Sequence, residues 1–531
     1  VELFRRRARA RDRTLDLDDP ATAAAVAELC RRLDGLPLAI ELAAGRADVV
    51  GPAELVDRWS WHRSVLRGGP TADPRHRSLT ALVDWSYDRL PAEGRRVLEA
   101  VSVFAGDFSV GDAADLLGLV GEDDPGWSLT ALVDASLLSR SAVTGRLRML
   151  ETIREYGRSR LANRADADAV HRAHATMFAD RAVAGRAELY GPGHVREVRR
   201  QLDGVDELRA GFGWALETQP ELAVRIAGST ALLVEHALLG EAVTWADTVL
   251  ARAELTRDPW VCAVAAAGAY FVGDLARSGA LADEATALAA NVDGLCVAFA
   301  LVVRGDVALL AGDLDTVLRC CTAAPEPTRP MLELTALLAR HYAGQRADAA
   351  DALEIRLGLE RHGRSALAAW AGYVEGELLL SDDPGRAFVV LDDALERARA
   401  GRDEYLTGVA LVSAASAAHR SGRLAEARPL LAQAVRHWQA RGDFTHQWTT
   451  LRNVVQLLAD TGQLIDALAL ATALQVPDRG AGGFGADAER LAETAARLSE
   501  LLGEAAAGLL PRARALRDHQ VIEAALQALE L

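Results

Sequence analysis

A repeat marked by glycine runs through the C-terminal two-thirds of this 531-residue chain. Each glycine precedes a segment whose apolar residues recur every three or four positions, most clearly along Ser421–Val435 and Thr461–Ala471. A period of about 34–40 residues with glycine between paired helices is typical of tetratricopeptide-like repeats, which stack into a superhelix with a concave binding face. We therefore predict a mainly α fold in which residues 166–531 form a helical-repeat domain. The glycines, at intervals of 39, 33, 32, 41, 37 and 40 residues, are Gly240, Gly279, Gly312, Gly344, Gly385, Gly422 and Gly462.

The segment 71–165 combines several helices with a short β-hairpin. Pro91 suits a helix start, where its missing N–H is not needed, and Gly106-Asp107 marks a turn before the next helix. Near the end of the segment, two short runs flank Thr144-Gly145, as in a hairpin. Helices followed by a small wing predict a winged-helix domain. The predicted elements are helices over 77–90, 91–104, 110–117 and 125–138 and strands over 137–140 and 146–149.

Residues 1–70 predict a small helical segment. Val1–Arg13 is an arginine-rich amphipathic helix, and Asp19-Pro20 begins a second helix, with the aspartate as its cap and the proline in its first turn. Gly35 ends this helix and Pro37 starts another through Ala44, so a rigid, kinked backbone lies between two helices. A helix boundary of this kind accounts for Gly35 and Pro37 without any ligand.

The motif Gly35-Leu36-Pro37-Leu38-Ala39 resembles the adenine-side motif of the STAND signalling ATPases, the group that includes the NB-ARC regulators. The stretches 77–87, 98–109 and 151–156 resemble, in order and spacing, the winged-helix module of bacterial STAND regulators, which are often attached to LuxR-type or other transcription-activator domains. This resemblance covers about residues 1–165. It identifies the chain as the C-terminal portion of such a regulator, lacking the P-loop domain, and residues 1–70 as the helical remnant of its ATPase module.

The resemblance implies one side of a nucleotide site. In that family the proline of the motif leans on the adenine ring of bound ADP, which assigns Gly35 and Pro37 to an adenine-side half-site. NB-ARC proteins often carry a Met-His-Asp motif whose histidine reaches the β-phosphate, but here Leu150 stands at the histidine position and Glu151 at the aspartate position. That phosphate contact is therefore not expected in this chain.

The chain contains no lysine, since all 59 of its basic residues are arginine. A Walker A loop needs a lysine to reach the β- and γ-phosphates, so we predict that this chain alone is not an enzyme. ADP or ATP would bind only with a P-loop from a separate or missing domain. No catalytic residue or metal site is predicted: His171 and His174 lie one helical turn apart, but no third ligand accompanies them.

The net charge of −16 is concentrated in the C-terminal part of the chain. Residues 1–165 hold 24 arginines and 25 acidic residues, whereas the remainder holds 35 and 50. An acidic repeat domain disfavours nucleic acids and anionic membranes and favours protein partners, self-association among them. The predicted recognition helix, 126–138, carries Asp134 as its one charge, so DNA contact is not expected. Arg5–Arg13 is interpreted as a solvated helix face, or one packed on the ATPase core, rather than a nucleic-acid arm.

The cysteines, the apolar segments and the first residues of the chain indicate where the protein is located and whether the sequence is complete. Five cysteines without zinc or redox spacing indicate buried thiols in a reducing cytoplasm. No secretory segment opens the chain, and the longest apolar run, Leu295–Val303, is shorter than the roughly 20 residues that a membrane helix needs. We therefore expect a cytoplasmic protein without a membrane segment. Because the chain begins at Val1, within a predicted helix, we expect a fragment or a truncated gene product.

Three functions stay open from the sequence. The first is a signal-transduction and transcriptional regulator, in which the repeats sense an inducer or a partner protein and, with the winged-helix clamp, control a nucleotide-dependent switch. The second is a non-enzymatic scaffold that binds proteins on its repeats. The third is a regulator that binds DNA through the winged helix. Five tryptophans are interpreted as packing anchors rather than a ligand cage: Trp214, Trp245, Trp370, Trp438 and Trp448.

Overall fold

The computed structural model describes residues 1–11, 17, 19–32, 40, 43–44, 47, 51–56, 83–121, 125–252, 254–326, 328–476 and 487–530. These residues are mainly α-helical, which confirms the predicted fold class. The chain divides into two compact units. Unit 1 contains Val1–Phe178 and Asp206–Thr218, and unit 2 contains Ala179–Val205 and Gln219–Leu531. The predicted boundaries after residues 70 and 165 stay predictions.

Unit 1 holds a group of helices followed by a hairpin. The hairpin strands are antiparallel, and Phe108 exchanges backbone hydrogen bonds with Leu147 (2.9 and 2.7 Å), which extends the pairing to the chain before α4. Residues 83–88 are also helical. The elements are α1 (Glu2–Arg11), α2 (Pro20–Arg32), α3 (Ala92–Val101), α4 (Val110–Leu119), α5 (Pro125–Asp134), β1 (Ser139–Arg140), β2 (Leu147–Arg148), α6 (Glu151–Leu161) and α7 (Ala167–Gly185), whose last residues belong to unit 2.

The helix bounds differ from the sequence prediction where the backbone turns. α5 ends at Asp134 rather than continuing to residue 138, because Ser136 adopts a positive φ of 58° that a helix cannot contain. The start of α2 follows the prediction, since Asp19 Oδ2 accepts a hydrogen bond from the Thr22 N–H at 2.9 Å. In α1, Phe4 and Ala8 are buried while Arg6 is exposed, as expected for an amphipathic helix.

One hydrophobic core joins the N-terminal helices of unit 1 to the hairpin and its flanking helices. Phe4, Leu29, Phe104, Phe108 and Leu116 are all essentially inaccessible to solvent and belong to the same cluster. Phe104 and Phe108 stack with ring centroids 4.4 Å apart. Burial of aromatic side chains supplies a large hydrophobic contribution in a chain that has few of them. The described N-terminal helices therefore contribute to the core of this unit.

Unit 2 is built from consecutive paired helices. A short 3-10 turn, Arg186–Glu188, precedes them. The helices are α8 (His194–Asp203), α9 (Val205–Thr218, mostly in unit 1), α10 (Pro220–Gly228), α11 (Ala231–Glu235), α12 (Gly240–Leu250), α13 (Pro259–Phe271), α14 (Leu275–Ala289), α15 (Gly294–Ala311), α16 (Leu314–Ala323), α17 (Arg329–Tyr342), α18 (Ala349–Arg361), α19 (Ser365–Leu379), α20 (Pro384–Gly401), α21 (Glu404–Arg420), α22 (Leu424–Arg441), α23 (Phe444–Asp460), α24 (Leu464–Leu474), α25 (Asp487–Leu502), α26 (Glu504–Arg514) and α27 (Asp518–Glu530).

Aspartate caps and glycine turns separate these helices. Gly312 and Gly462 have φ values of 71° and 83°, a left-handed conformation that glycine adopts without strain. Gly279, predicted as a turn, instead lies inside α14, and the turn of that repeat is at Gly273 (φ 84°). The glycine spacing misplaced this turn because glycine also occurs inside buried helices, where it lets a neighbouring helix pack closely. The capping aspartates, whose side chains accept N–H bonds from the first turn, are Asp258, Asp274, Asp293, Asp313, Asp348, Asp383, Asp403 and Asp443.

Six helix pairs form a closed ring. The first helices of the pairs, α13, α15, α17, α19, α21 and α23, each pack against the first helix of the next pair. α23 also packs against α13, where the Thr445 hydroxyl donates to the Tyr270 carbonyl at 3.3 Å. We call these six helices the ring. Repeats that stack with a constant rotation form a superhelix, and closure after six pairs encloses the concave face.

α15 is the most apolar long helix of the ring. Within the described residues it is the one helix long and apolar enough to cross a membrane, judged by length and composition alone. However, 61% of it is buried inside the protein, and it carries Arg304 and Asp306. The run considered in the sequence, Leu295–Val303, stops at this arginine and so missed the full length of the helix. A buried helix of a protein core meets the same criteria.

Candidate functional site: a cavity enclosed by the helical ring

The predicted adenine-side residues, Gly35 and Pro37, lie outside the described residues, so their role stays a prediction. Leu150 is described: it precedes the first turn of α6 in an extended conformation, and 39% of it is exposed. Glu151 pairs with Arg154 at 2.7 Å. The Leu150 side chain has no hydrogen-bond donor, and the expectation that this position makes no phosphate contact stays a prediction.

The two neighbouring histidines of unit 1 have separate packing roles. His171 stacks on Trp214, with centroids 5.9 Å apart, whereas His174 Nε2 lies 2.9 Å from the Glu207 carboxylate. Glu207 also accepts the backbone N–H groups of Ala105 and Gly106, at 2.8 and 2.9 Å. Burial raises the pKa of Glu207, but the hydrogen bonds from His174 and the backbone outweigh it and lower the pKa. Among the described residues no group of three metal-ligating side chains is found.

The hairpin arginines are bound within unit 1. Arg148 makes a two-pronged ion pair with Asp107, with Nε–Oδ1 and Nη2–Oδ2 distances of 3.0 Å. Arg146 donates to the Asp107 carbonyl at 2.6 and 3.0 Å. α5 presents an exposed Trp127 and has no basic residue. The Arg148 side chain is nevertheless 62% exposed, so the expectation that this module does not contact DNA stays a prediction.

The ring encloses a cavity of about 670 Å³. Its walls come mainly from the ring, with a few residues contributed by α25. This volume lies within the range of small-molecule binding sites in proteins. Because it is lined by residues from all six helices of the ring, we take this cavity as the candidate site.

A smaller chamber of about 50 Å³ adjoins one end of the cavity, and we call it the inner chamber. The inner chamber and the cavity share Tyr270, Asp306, Trp370 and Tyr405, which therefore stand between them. The opposite wall is formed by residues that precede the ring in the chain: Tyr190, His194, Glu235 and His236. Two bonds attach this wall to the ring, from Arg364 Nε to the Tyr190 carbonyl (2.8 Å) and from the Glu404 N–H to the His236 carbonyl (2.6 Å).

His236 lies between two carboxylates in this wall. Its Nδ1 is 3.2 Å from Asp403 Oδ2, and its Nε2 is 3.5 Å from Glu235 Oε2. The Tyr190 hydroxyl donates to the other Glu235 oxygen at 2.6 Å. Burial alone would lower the pKa of His236, but the charges of Glu235 and Asp403 outweigh burial and raise the pKa to about 10. His236 is therefore an imidazolium at neutral pH.

His194 is the neutral counterpart of His236. Its Nδ1 accepts the Tyr190 N–H at 3.3 Å, so Nε2 carries the ring proton. Burial and the neighbouring His236, whose ring centroid is 4.2 Å away, lower the pKa of His194 well below its usual value. Nε2 is buried and has no hydrogen-bond partner among the described residues. An unpaired buried donor costs stability unless something in the chamber accepts from it.

Asp306 places a carboxyl group between the cavity and the inner chamber. No described residue donates a hydrogen bond to it, and it lines both the cavity and the inner chamber. Burial, and then the charge of Glu235, raise the pKa of Asp306 well above its usual value. A buried carboxyl group without a partner is rare in a helix that serves only packing.

Aromatic side chains complete the shared wall. Trp370 stacks on Tyr405 with centroids 5.9 Å apart, and the hydroxyls of Tyr270 and Tyr405 are 3.3 Å apart. Trp438 stacks on His446 at 4.8 Å and also lines the cavity. The sequence predicts Trp370 and Trp438 as packing anchors. Both side chains are buried, and both also line the cavity. Each tryptophan can therefore pack between helices and contact a ligand in the cavity.

Comparison with known proteins gives sequence relatives among bacterial regulators. No family model matches the chain. Over 240 residues it is 35% identical to a Mycobacterium tuberculosis protein that its name provisionally describes as an HTH-type transcriptional regulator, and the match covers 43% of this chain and 26% of that protein. Its Mycobacterium bovis counterpart has the same identity and coverage. An uncharacterized protein of Mycobacterium tuberculosis is 38% identical over 180 residues, 32% of this chain and 44% of that protein. The chain thus spans about a quarter of the named regulators.

Among solved structures, the chain is similar to a signal transduction ATPase with numerous domains (STAND) that has a tetratricopeptide repeat sensor, from Pyrococcus horikoshii. The match covers 99% of this chain and 73% of that one, with a TM-score of 0.42 and 15% sequence identity.

Proposed function

We propose that this chain is the sensor-bearing portion of a signal-transduction and transcriptional regulator, and that its effector binds inside the ring of unit 2. The observation that carries the proposal is the enclosed cavity of about 670 Å³ with the unpartnered carboxyl group of Asp306 on its wall. A polar group that lines a cavity without a hydrogen-bond partner lowers the stability of the fold. Ligand binding explains why such a group is present. Identity to proteins named as transcriptional regulators supports the regulatory role.

In this proposal effector binding shifts a two-state equilibrium. The inner chamber joins the ring to the segment before it through Tyr190, Glu235 and His236, so a ligand there contacts both. A ligand can bias a conformational change only if it binds the two states with different affinity, and a ligand held by two chain segments would do so if the segments separate in one of the states. The α3–α6 region of unit 1 would serve as a winged-helix clamp between domains rather than as a DNA reader.

The nucleotide part of the switch is also a proposal. The Gly35–Ala39 motif would contact adenine, while phosphate contacts would come from a P-loop on another domain, because this chain has no lysine. Millimolar ADP is expected to stabilise this chain alone by about 1 kcal/mol or less, since an adenine contact without phosphate contacts is weak. Adenosine should stabilise it equally, and Pro37→Ala should abolish both effects in thermal-shift measurements. No stabilisation, or stabilisation that survives Pro37→Ala, would instead favour the scaffold.

The effector site is tested by filling the cavity. Val412 lines the cavity, so Val412→Trp places an indole inside it, whereas Val389→Trp adds the same side chain at a position that is 64% exposed. Fractions of a small-metabolite extract that raise the melting temperature of the wild type should raise that of Val389→Trp equally. They should leave Val412→Trp unchanged. An equal response of both variants would place the ligand elsewhere and refute the proposal.

A further inference from the structure

We propose that the inner chamber binds the head group of a small organic cation, an ammonium ion, with Asp306 as its counter-ion and Trp370, Tyr270 and Tyr405 as its aromatic walls. The inference rests on the proposed function, because it names the chemical class of the effector. Four features of the chamber support it: its charge, its aromatic surface, its unpaired donors and its size.

The chamber holds more acids than bases. Three carboxyl groups line it, those of Glu235, Asp306 and Asp403, against the single imidazolium of His236. His236 is already shared between Glu235 and Asp403, which leaves Asp306 without a cation. No arginine is among the residues that line this chamber, whereas arginines do line the larger cavity. A ligand that brings one positive charge would let Asp306 ionise beside it, while an anion would add a negative charge to a chamber that already has three carboxyl groups and one imidazolium.

The aromatic walls of the inner chamber also favour a positively charged ligand. Tryptophan and tyrosine present negative ring faces, and cages of such rings recognise ammonium groups. Trp370 and Tyr405 are stacked with an interplanar angle of 26°, and Phe271 packs on Tyr405 at 5.7 Å. Trp370 is 91% buried, so its attraction for a cation would act largely outside water.

Two N–H groups in the chamber have no hydrogen-bond partner, so the ligand should carry a hydrogen-bond acceptor. Trp370 Nε1 and His194 Nε2 are buried, line the chamber, and have no hydrogen-bond partner among the described residues. A hydroxyl or ether oxygen next to the ammonium group could accept from either of them. The free space of about 50 Å³ suits a group of a few heavy atoms. An amino alcohol therefore matches the chamber better than a simple amine.

Choline and its carbon isostere dimethylbutanol test the charge directly. The two molecules have the same shape and hydroxyl, and differ in the quaternary nitrogen alone. In ligand-observed NMR with the full chain, we expect choline to bind about 10-fold more tightly than dimethylbutanol, and dimethylbutyrate, the anion of similar shape, not to bind. Equal binding of choline and dimethylbutanol would overturn the proposal.

Asp306→Asn tests the counter-ion. Asparagine has the shape of a protonated carboxyl group, so this variant should keep the melting temperature of the wild type while losing about 10-fold in choline affinity. The matched control is Asp315→Asn, on the exposed surface of α16, which should bind choline as the wild type does. Unchanged affinity in Asp306→Asn, or equal losses in both variants, would show that choline is attracted by the acidic surface and would overturn the proposal.

The outcomes separate this inference from the proposed function. If a neutral or anionic metabolite stabilises the wild type and Val412→Trp abolishes the effect, the cavity is an effector site and the cation inference alone is wrong. If Asp306→Asn weakens choline binding by about 10-fold and Val412→Trp abolishes the stabilisation by an extract fraction, the two proposals stand together. If neither variant changes the binding of any ligand, both fail.

Discussion

Replacing His236 with glutamine is expected to destabilise unit 2 by about 3–5 kcal/mol, the cost of leaving a buried charge without its partner. The imidazolium lies between Glu235 and Asp403, and the variant leaves both carboxylates in the wall of the inner chamber without a cation. Glutamine can donate one hydrogen bond, but it cannot neutralise either charge. Hydrogen exchange of peptides from α11 and the start of α21 measures the loss, because both contribute to this contact.

The control is His362→Gln. His362 is exposed at the end of α18 and bonds the Gly358 carbonyl at 2.8 Å. A surface change of this kind should alter stability by less than about 0.5 kcal/mol. If the two histidine variants lose equal stability, the charge of His236 does not hold this wall together.

The contact of His236 with Glu235 and Asp403 also predicts that the stability of unit 2 depends on pH. The pKa of His236 is raised to about 10 in the folded chain, against about 6.5 when unfolded. Its contribution is therefore complete below pH 6.5 and is lost as the pH rises through about 10. The stability difference between wild type and His236→Gln should shrink across this interval in melting experiments. A difference that stays constant would mean that His236 is neutral in the folded chain.

Glu207→Gln is expected to destabilise unit 1 by about 3 kcal/mol, since the buried carboxylate accepts three hydrogen bonds that strengthen with its charge. The donors are His174 and the N–H groups of Ala105 and Gly106. Glutamine has one acceptor oxygen, and its amide group would face donors. The amide exchange of the peptide that contains residues 105 and 106 should accelerate about 100-fold.

Glu155→Gln is the matched control for unit 1, because Glu155 is exposed on α6. It should leave the exchange of that peptide unchanged.

The pKa of Glu207 is lowered in the folded chain, so its contribution to stability is present above the unfolded value of about 4.3 and is lost as the pH falls through the folded value. Wild type and Glu207→Gln should therefore converge in acid. Equal exchange at neutral pH would contradict the role of this carboxylate.

Much of the architecture could be predicted because local chemistry determines it. The helix period of the repeats is visible in the apolar pattern, and the capping role of Asp19 was recognised from the proline beside it. The hairpin was found near Thr144-Gly145, although its strands are shorter than expected. Closure of the ring was not predicted, because it depends on a small rotation between neighbouring pairs that accumulates from α13 to α23.

The candidate site was missed for a related reason. Glu235, Asp306 and Asp403 are separated by long stretches of sequence, and each resembles an ordinary helix acid until the ring brings them together. One signal was present: Asp306 is an acidic residue within α15, which among the described residues is the one helix long and apolar enough to cross a membrane. A charge at such a position requires a partner or a ligand, and this requirement identifies a site more reliably than the tryptophans do.

Native mass spectrometry of the full chain, after incubation with a small-metabolite extract, tests most directly whether the ring holds an effector. We expect one small molecule bound per chain in the wild type and in Val389→Trp, and none in Val412→Trp, since the added indole fills the cavity. Absence of any adduct in the wild type, or an adduct that persists in Val412→Trp, would contradict this expectation.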